Sequence, residues 1–166
     1  MTLTVVDEPG DRPQWISETI RLVTAESDRQ RSELLARVAA ATDDDLARGT
    51  EDDWGLGQVA VHLLLIDRGV ALIALRLALG QSAVGGTGQP RPAGRSGART
   101  GILTLAEKTA AAHARLLAEF PAAPDLVATA THPYYGVLNC FGWMLTLHNH
   151  YNAHLRALDE GTPSAL

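Results

Sequence analysis

The sequence predicts an all-α fold, a four-helix bundle with long crossover connections, and three observations carry that prediction. Apolar residues recur at helical spacing in four separate stretches. Alanine and leucine are abundant while β-branched runs are few, a composition that favours helix over strand. Aromatic residues make up only 5% of the chain, sparse for a β-sandwich core. The 166 residues suit a single helical domain over 1–166, with tails at about 1–12 and 160–166.

The first helix is expected to start near Pro13, where a missing N–H costs nothing, and to run to about Ala41. Trp15, Thr19, Leu22, Val23, Leu34 and Val38 mark its expected inward side. Thr42-Asp43-Asp44-Asp45 opens an acidic connector with room for one helical turn through Leu46. A second helix, from about Gly55 to Leu79, carries aliphatic residues on so many sides that several neighbours must surround it. Gly80 to Gly101 is a loop by composition, with the crossover at about 81–100. Its roughly twenty residues can span about 66 Å, longer than a 25-residue helix at about 37 Å. The third helix, Ile102 to Phe120, can therefore begin at the opposite end of the bundle. A loop through His132-Pro133-Tyr134-Tyr135-Gly136 leads to the fourth, Leu138 to about Leu158, closed by Gly161 and Pro163.

Several function classes are disfavoured at once. A net charge of −5 argues against a nucleic-acid partner, which needs a basic face. Cys140 is the single cysteine, so neither an intrachain disulfide nor a cysteine-based zinc finger is available. Met1 to Val6 runs into Asp7-Glu8-Pro9-Gly10 without a basic start, and Asp67, Arg68 and Arg76 interrupt the longest apolar stretch. The expectation is a cytoplasmic domain without a membrane span.

The histidines are the chemical signal. His150 and His154 lie about 40° apart one turn along the fourth helix, so both rings can address one point. Trp143, Leu147, Ala157 and Leu158 share their stripe, which therefore faces inward. His148, about 200° from His150, falls on another face and is not expected to join them. Buried imidazole nitrogens need hydrogen bonds or coordination, and a divalent metal would satisfy both rings. A third ligand should come from another helix. His62, within the aliphatic run Val59 to Leu64, is the natural candidate; the alternative is a satisfied core histidine.

Trp54 with His62 eight residues on, followed by His132-Pro133-Tyr134-Tyr135-Gly136 and then Trp143 to His150-x-x-x-His154, resembles the signature of the DinB-like superfamily over nearly the whole chain. The resemblance implies a four-helix bundle with two long connections and a metal site at His62, His150 and His154. It further implies zinc or nickel as the cofactor, a homodimer, and metal-dependent hydrolase or thiol S-transferase activity on a small molecule, with a low-molecular-weight thiol as a partner. Two positions depart from the family pattern: Gly55 stands where a capping Ser or Thr is frequent, with Asp53 a possible replacement cap, and Leu155-Arg156 stand where glutamine often follows.

Three neutral histidines would leave a bound ion's charge uncompensated and a position open, as in catalytic zinc sites. Trp143 as a pocket floor, and Tyr151 and Asn152 beside the ligands, are the candidate substrate-binding residues. Asp67, about 140° from His62, is expected to pair with an arginine, and His113 to support the core or the site. No catalytic acid or base stands out. Arg91, Arg95 and Arg99 could form a rim that draws an anionic substrate, or simply a solvated connector. The competing readings are a non-catalytic metal- or ligand-binding bundle and a dimeric interaction module.

Overall fold

The computed structural model describes residues 13–85 and 98–161. Within them lie helices α1 (Gln14–Ala40), α2 (Asp43–Ala47), α3 (Leu56–Ala78), α4 (Arg99–Glu119) and α5 (Cys140–Glu160). Strands β1 (Ala130–His132) and β2 (Gly136–Leu138) form an antiparallel hairpin before α5. The four long helices stand at the expected places. The acidic connector supplies α2, whose Thr42 and Asp45 cap one another reciprocally.

Cross-helix bonds give the topology. Thr109 donates to the Leu64 carbonyl and His113 bonds Asp67, so α3 and α4 advance together and are parallel. Gln30 meets His148 and Asn152 while Arg37 meets Asp159, so α1 and α5 are parallel too. His62 faces His150 and His154 while Asp67 faces Tyr151, which sets α3 against α5. The order is up, down, down, up, and the segment between α3 and α4 links opposite ends of the bundle, as its length allows. The second long connection, 120–139, stays at one end: Asp125 N–H bonds the Ala78 carbonyl, and Phe120 packs on Phe141.

The interior falls into two apolar clusters. One gathers Ile16, Ile20, Val70, Ala74, Leu77, Leu116, Phe120, Trp143, Met144 and Leu147 near the hairpin. The other gathers Leu34, Val38, Leu46, Trp54, Val59 to Leu64, Ile102, Tyr151 and Leu155 at the far end. By length and composition α3 could cross a membrane, despite its interrupting charges, but 61% of its apolar window is buried within the bundle. It is the central helix, contacting both clusters.

Three local readings are corrected. The inward side of α1 is Ile16, Ile20, Thr24, Ser27, Gln30, Arg31, Leu34 and Val38, whereas Trp15 and Leu22 are more than half exposed. Polar residues on the buried side misled the periodicity; Thr24 and Ser27 satisfy themselves on carbonyls one turn back. The His132 segment is a hairpin rather than an irregular loop, with Gly136 in the left-handed region at φ 75°. Arg99 belongs to the first turn of α4, not to a loop rim. Its guanidinium donates to the Val38 and Ala41 carbonyls at 2.6 Å each and pairs with Asp43, closing the C-terminus of α1. Arg91 and Arg95 lie outside the described residues.

Candidate metal centre

A short, tightly folded segment before α3 builds one wall of the site. Gly55 is the N-cap of α3, and a Cβ there would lie 2.1 Å from the Arg48 carbonyl oxygen. No serine or threonine fits this position. The cap is completed by Gln58, whose side chain accepts from the Gly55 N–H and donates to the Thr50 carbonyl; Asp53 does not cap the helix. The same turn presents Trp54 inward, with its indole N–H on the Glu51 carbonyl.

α3 then brings His62, and α5 brings His150 and His154, to one point. Their ring centroids are 5.0, 5.0 and 4.8 Å apart, and one potential ligand atom from each lies within 4.8 Å of the others. His62 and His154 are buried, at 9% and 2% exposure, and His150 is half-buried. Trp54 covers the deeper side, edge-on to His62 at 4.9 Å and parallel to His154 at 6.3 Å.

Burial first, and then neighbouring imidazoles, lower His62 to a pKa of about 4 and His150 to about 3. His154 is lowered by burial. All three are therefore neutral at pH 7, the form that ligates metal. The Nε2 atoms of His62 and His150 share one hydrogen bond at 3.0 Å, but Nδ1 of His62 and Nδ1 of His154 are buried without a partner among the described residues. A first-row divalent ion at about 2.1 Å from each nitrogen would separate the donors by about 3.4 Å in tetrahedral geometry. The donor type, neutrality and spacing fit such an ion.

The other predicted residues sit around this point in different relations to it. Trp143 is buried in the apolar cluster near the hairpin, its N–H on the Ala130 carbonyl and its ring 4.9 Å from His132. Tyr151 is fully buried, turned to Asp67 with its hydroxyl 2.9 Å from Oδ2. Asn152 accepts from Gln30 and contacts His148. His148 is away from the triad, beside Glu26 and Gln30. His132 shapes the hairpin, its Nδ1 accepting from the Tyr134 and Tyr135 N–H groups. Cys140 is a buried thiol raised in pKa by that burial. Trp54, which the sequence offers only through its place eight residues before His62, also walls the site.

Asp67 pairs with an arginine, Arg31, and with more besides. Oδ2 accepts from Arg31 Nε at 3.0 Å and from Tyr151, while Oδ1 meets His113 Nε2. Although burial opposes ionisation, His113 and Arg31 hold the carboxyl below its usual range. Burial and the adjacent carboxylate push Tyr151 upward, keeping it protonated.

No curated protein matches this chain. Among solved structures it resembles the crystal structure of TT2238, a four-helix bundle protein, with a TM-score of 0.63 and 23% identity over 85% of this chain and 98% of that one. That likeness is one of fold. The family model for the DinB superfamily matches residues 26–158, a span that includes Trp54 and all three histidines. The chain is a member of the DinB superfamily.

Proposed function

We propose that this protein is a metal-dependent small-molecule enzyme, a hydrolase or a thiol S-transferase, using zinc or nickel held by His62, His150 and His154. The donor set carries the reading: three converging neutral imidazoles from two helices. Three uncharged donors leave a bound ion's charge uncompensated, able to polarise a carbonyl or to acidify a water or a thiol. Trp54 excludes water from the His62 and His154 side, and half-buried His150 marks the side from which a small molecule would approach. The proposal extends to a cytoplasmic homodimer with no nucleic-acid or membrane partner.

A second reading, metal or ligand binding without turnover, is favoured by one observation. The buried acid nearest His62 along α3, Asp67, is committed to Arg31, His113 and Tyr151, so it is no free general base.

Elemental analysis of untagged protein beside His150→Ala tests the metal. Near-stoichiometric zinc or nickel in the wild type, lost in the variant, is the expected result. Absence of metal in the wild type, together with failure to take it up from zinc or nickel buffer, would end the enzyme reading. Turnover of a thiol with an electrophile, or of an activated ester or amide, then separates enzyme from binding protein.

A further inference from the structure

The helices that carry the triad are joined by a second polar cluster for which the proposed chemistry has no use. Arg31, Asp67, His113 and Tyr151 come one from each long helix, meet beside the apolar cluster to which Tyr151 belongs, and are all buried. Asp67 stands five residues after His62; Tyr151 directly follows His150 and precedes His154 by three. At about 1.5 Å per residue, the Tyr151 to Asp67 bond lies within about 8 Å, along the helix axes, of every histidine in the triad.

Something must hold α3 and α5 in register there. Ligand distances in a metal site tolerate deviations of only about 0.2 Å. The surrounding Val59, Leu63, Leu64 and Leu155 can repack with small shifts at little energetic difference. A hydrogen bond between a phenol and a carboxylate weakens steeply outside its narrow geometry. Buried ion pairs give little net stability over apolar residues of equal volume, and their best-attested use is to specify register.

We propose that the Tyr151 to Asp67 hydrogen bond, braced by Arg31 and His113, sets the register of α3 against α5 and so spaces His62 correctly from His150 and His154. Tyr151 and Asp67 are positioning residues that act through the histidines. The inference rests on the metal reading of the triad.

Cobalt(II) titration of metal-free protein, followed by visible absorption, and zinc competition test it. Tyr151→Phe is expected to keep its helical circular dichroism, bind both ions roughly 10–100-fold more weakly, and show an altered cobalt spectrum. Ile20→Val, in the distant apolar cluster, is expected to lower the melting temperature and change neither readout. Unchanged affinity and spectrum in Tyr151→Phe would overturn the positioning role while leaving the metal site standing. A wild type that binds neither ion would overturn the metal reading and this inference with it. Should Tyr151→Phe not fold, Asp67→Asn, nearly isosteric, is read in its place; unfolding of both would assign the cluster to global stability and refute the register role.

Discussion

Two buried polar clusters lie five residues apart on α3, and they meet the cost of burial in opposite ways. Around Asp67, an acid faces an arginine, a histidine and a tyrosine, and both carboxylate oxygens are engaged. Around His62, three imidazoles of the same type face one another, share one hydrogen bond, and leave two nitrogens unpaired. In the first cluster the Arg31 guanidinium offsets the Asp67 carboxylate, and His113 Nδ1 is buried without a partner among the described residues. In the second, three donors of one kind converge with no acidic side chain among them. An orphaned buried nitrogen by itself therefore does not mark a site; convergence of like donors without an opposite charge does.

The sharpest way to break this comparison is to remove one member of each cluster in metal-free protein. Asp67→Leu leaves the Arg31 guanidinium buried beside an apolar chain, with Asp28 its remaining carboxylate partner, and is expected to cost about 3–5 kcal/mol. His154→Leu removes a ring with an orphaned nitrogen and is expected to leave stability unchanged or raise it by up to about 1 kcal/mol, while abolishing metal uptake. Urea denaturation of both metal-free variants decides the matter. A loss in His154→Leu comparable to that in Asp67→Leu would mean that the triad is satisfied without a ligand.

Acid separates the clusters next. The three histidines have folded pKa values below the ordinary 6.5, at about 4 for His62 and about 3 for His150. Below pH 6.5 the unfolded chain takes up protons that the fold refuses. The stability associated with these rings is thus complete above pH 6.5 and is lost as pH falls toward the folded values, at about 1.4 kcal/mol per pH unit for each ring. Asp67 is also depressed, below an ordinary 3.8, so its contribution persists above that value and is lost only in stronger acid. Denaturation of metal-free protein at successive pH values is expected to show a decline between pH 6.5 and 4, shallower in His154→Leu. Saturating zinc should suppress the decline until protons displace the ion. A flat metal-free profile over that range would contradict burial of the neutral rings.

The contrast between these clusters was only half legible in the sequence. The triad could be read because two of its members repeat at one helical turn on an apolar stripe and the third interrupts an aliphatic run, so each stands out against its neighbours. Asp67 pointed to some arginine, but nothing local named Arg31, His113 and Tyr151 as its joint partners, since each sits on a different helix. The long helices were legible from apolar periodicity and from terminal residues such as Pro13 and Gly161. The phase of α1 was not, because its buried side carries Thr24, Ser27, Gln30 and Arg31. The hairpin escaped notice because three-residue strands are too short to establish an alternating pattern. Arg99 was assigned to the loop because its role, closing the end of α1, depends on a contact with residues some sixty positions earlier.

The smallest expected effect concerns the helix that both clusters share. Gly69 lies in α3 two residues beyond Asp67, and a Cβ there would meet no heavy atom of the described residues within 4 Å. Gly55, at the start of the same helix, has a carbonyl oxygen 2.1 Å from that position, so the two glycines are not equivalent. Gly69→Ala lowers the conformational entropy of the unfolded chain without a clash and is expected to stabilise the protein by up to about 1 kcal/mol. Because it touches neither cluster, zinc affinity and the acid profile should stay as in the wild type. A change in zinc affinity with raised stability would mean that the backbone at Gly69 itself helps to set the distance between the two clusters, and the register of α3 would then depend on more than the bond to Tyr151.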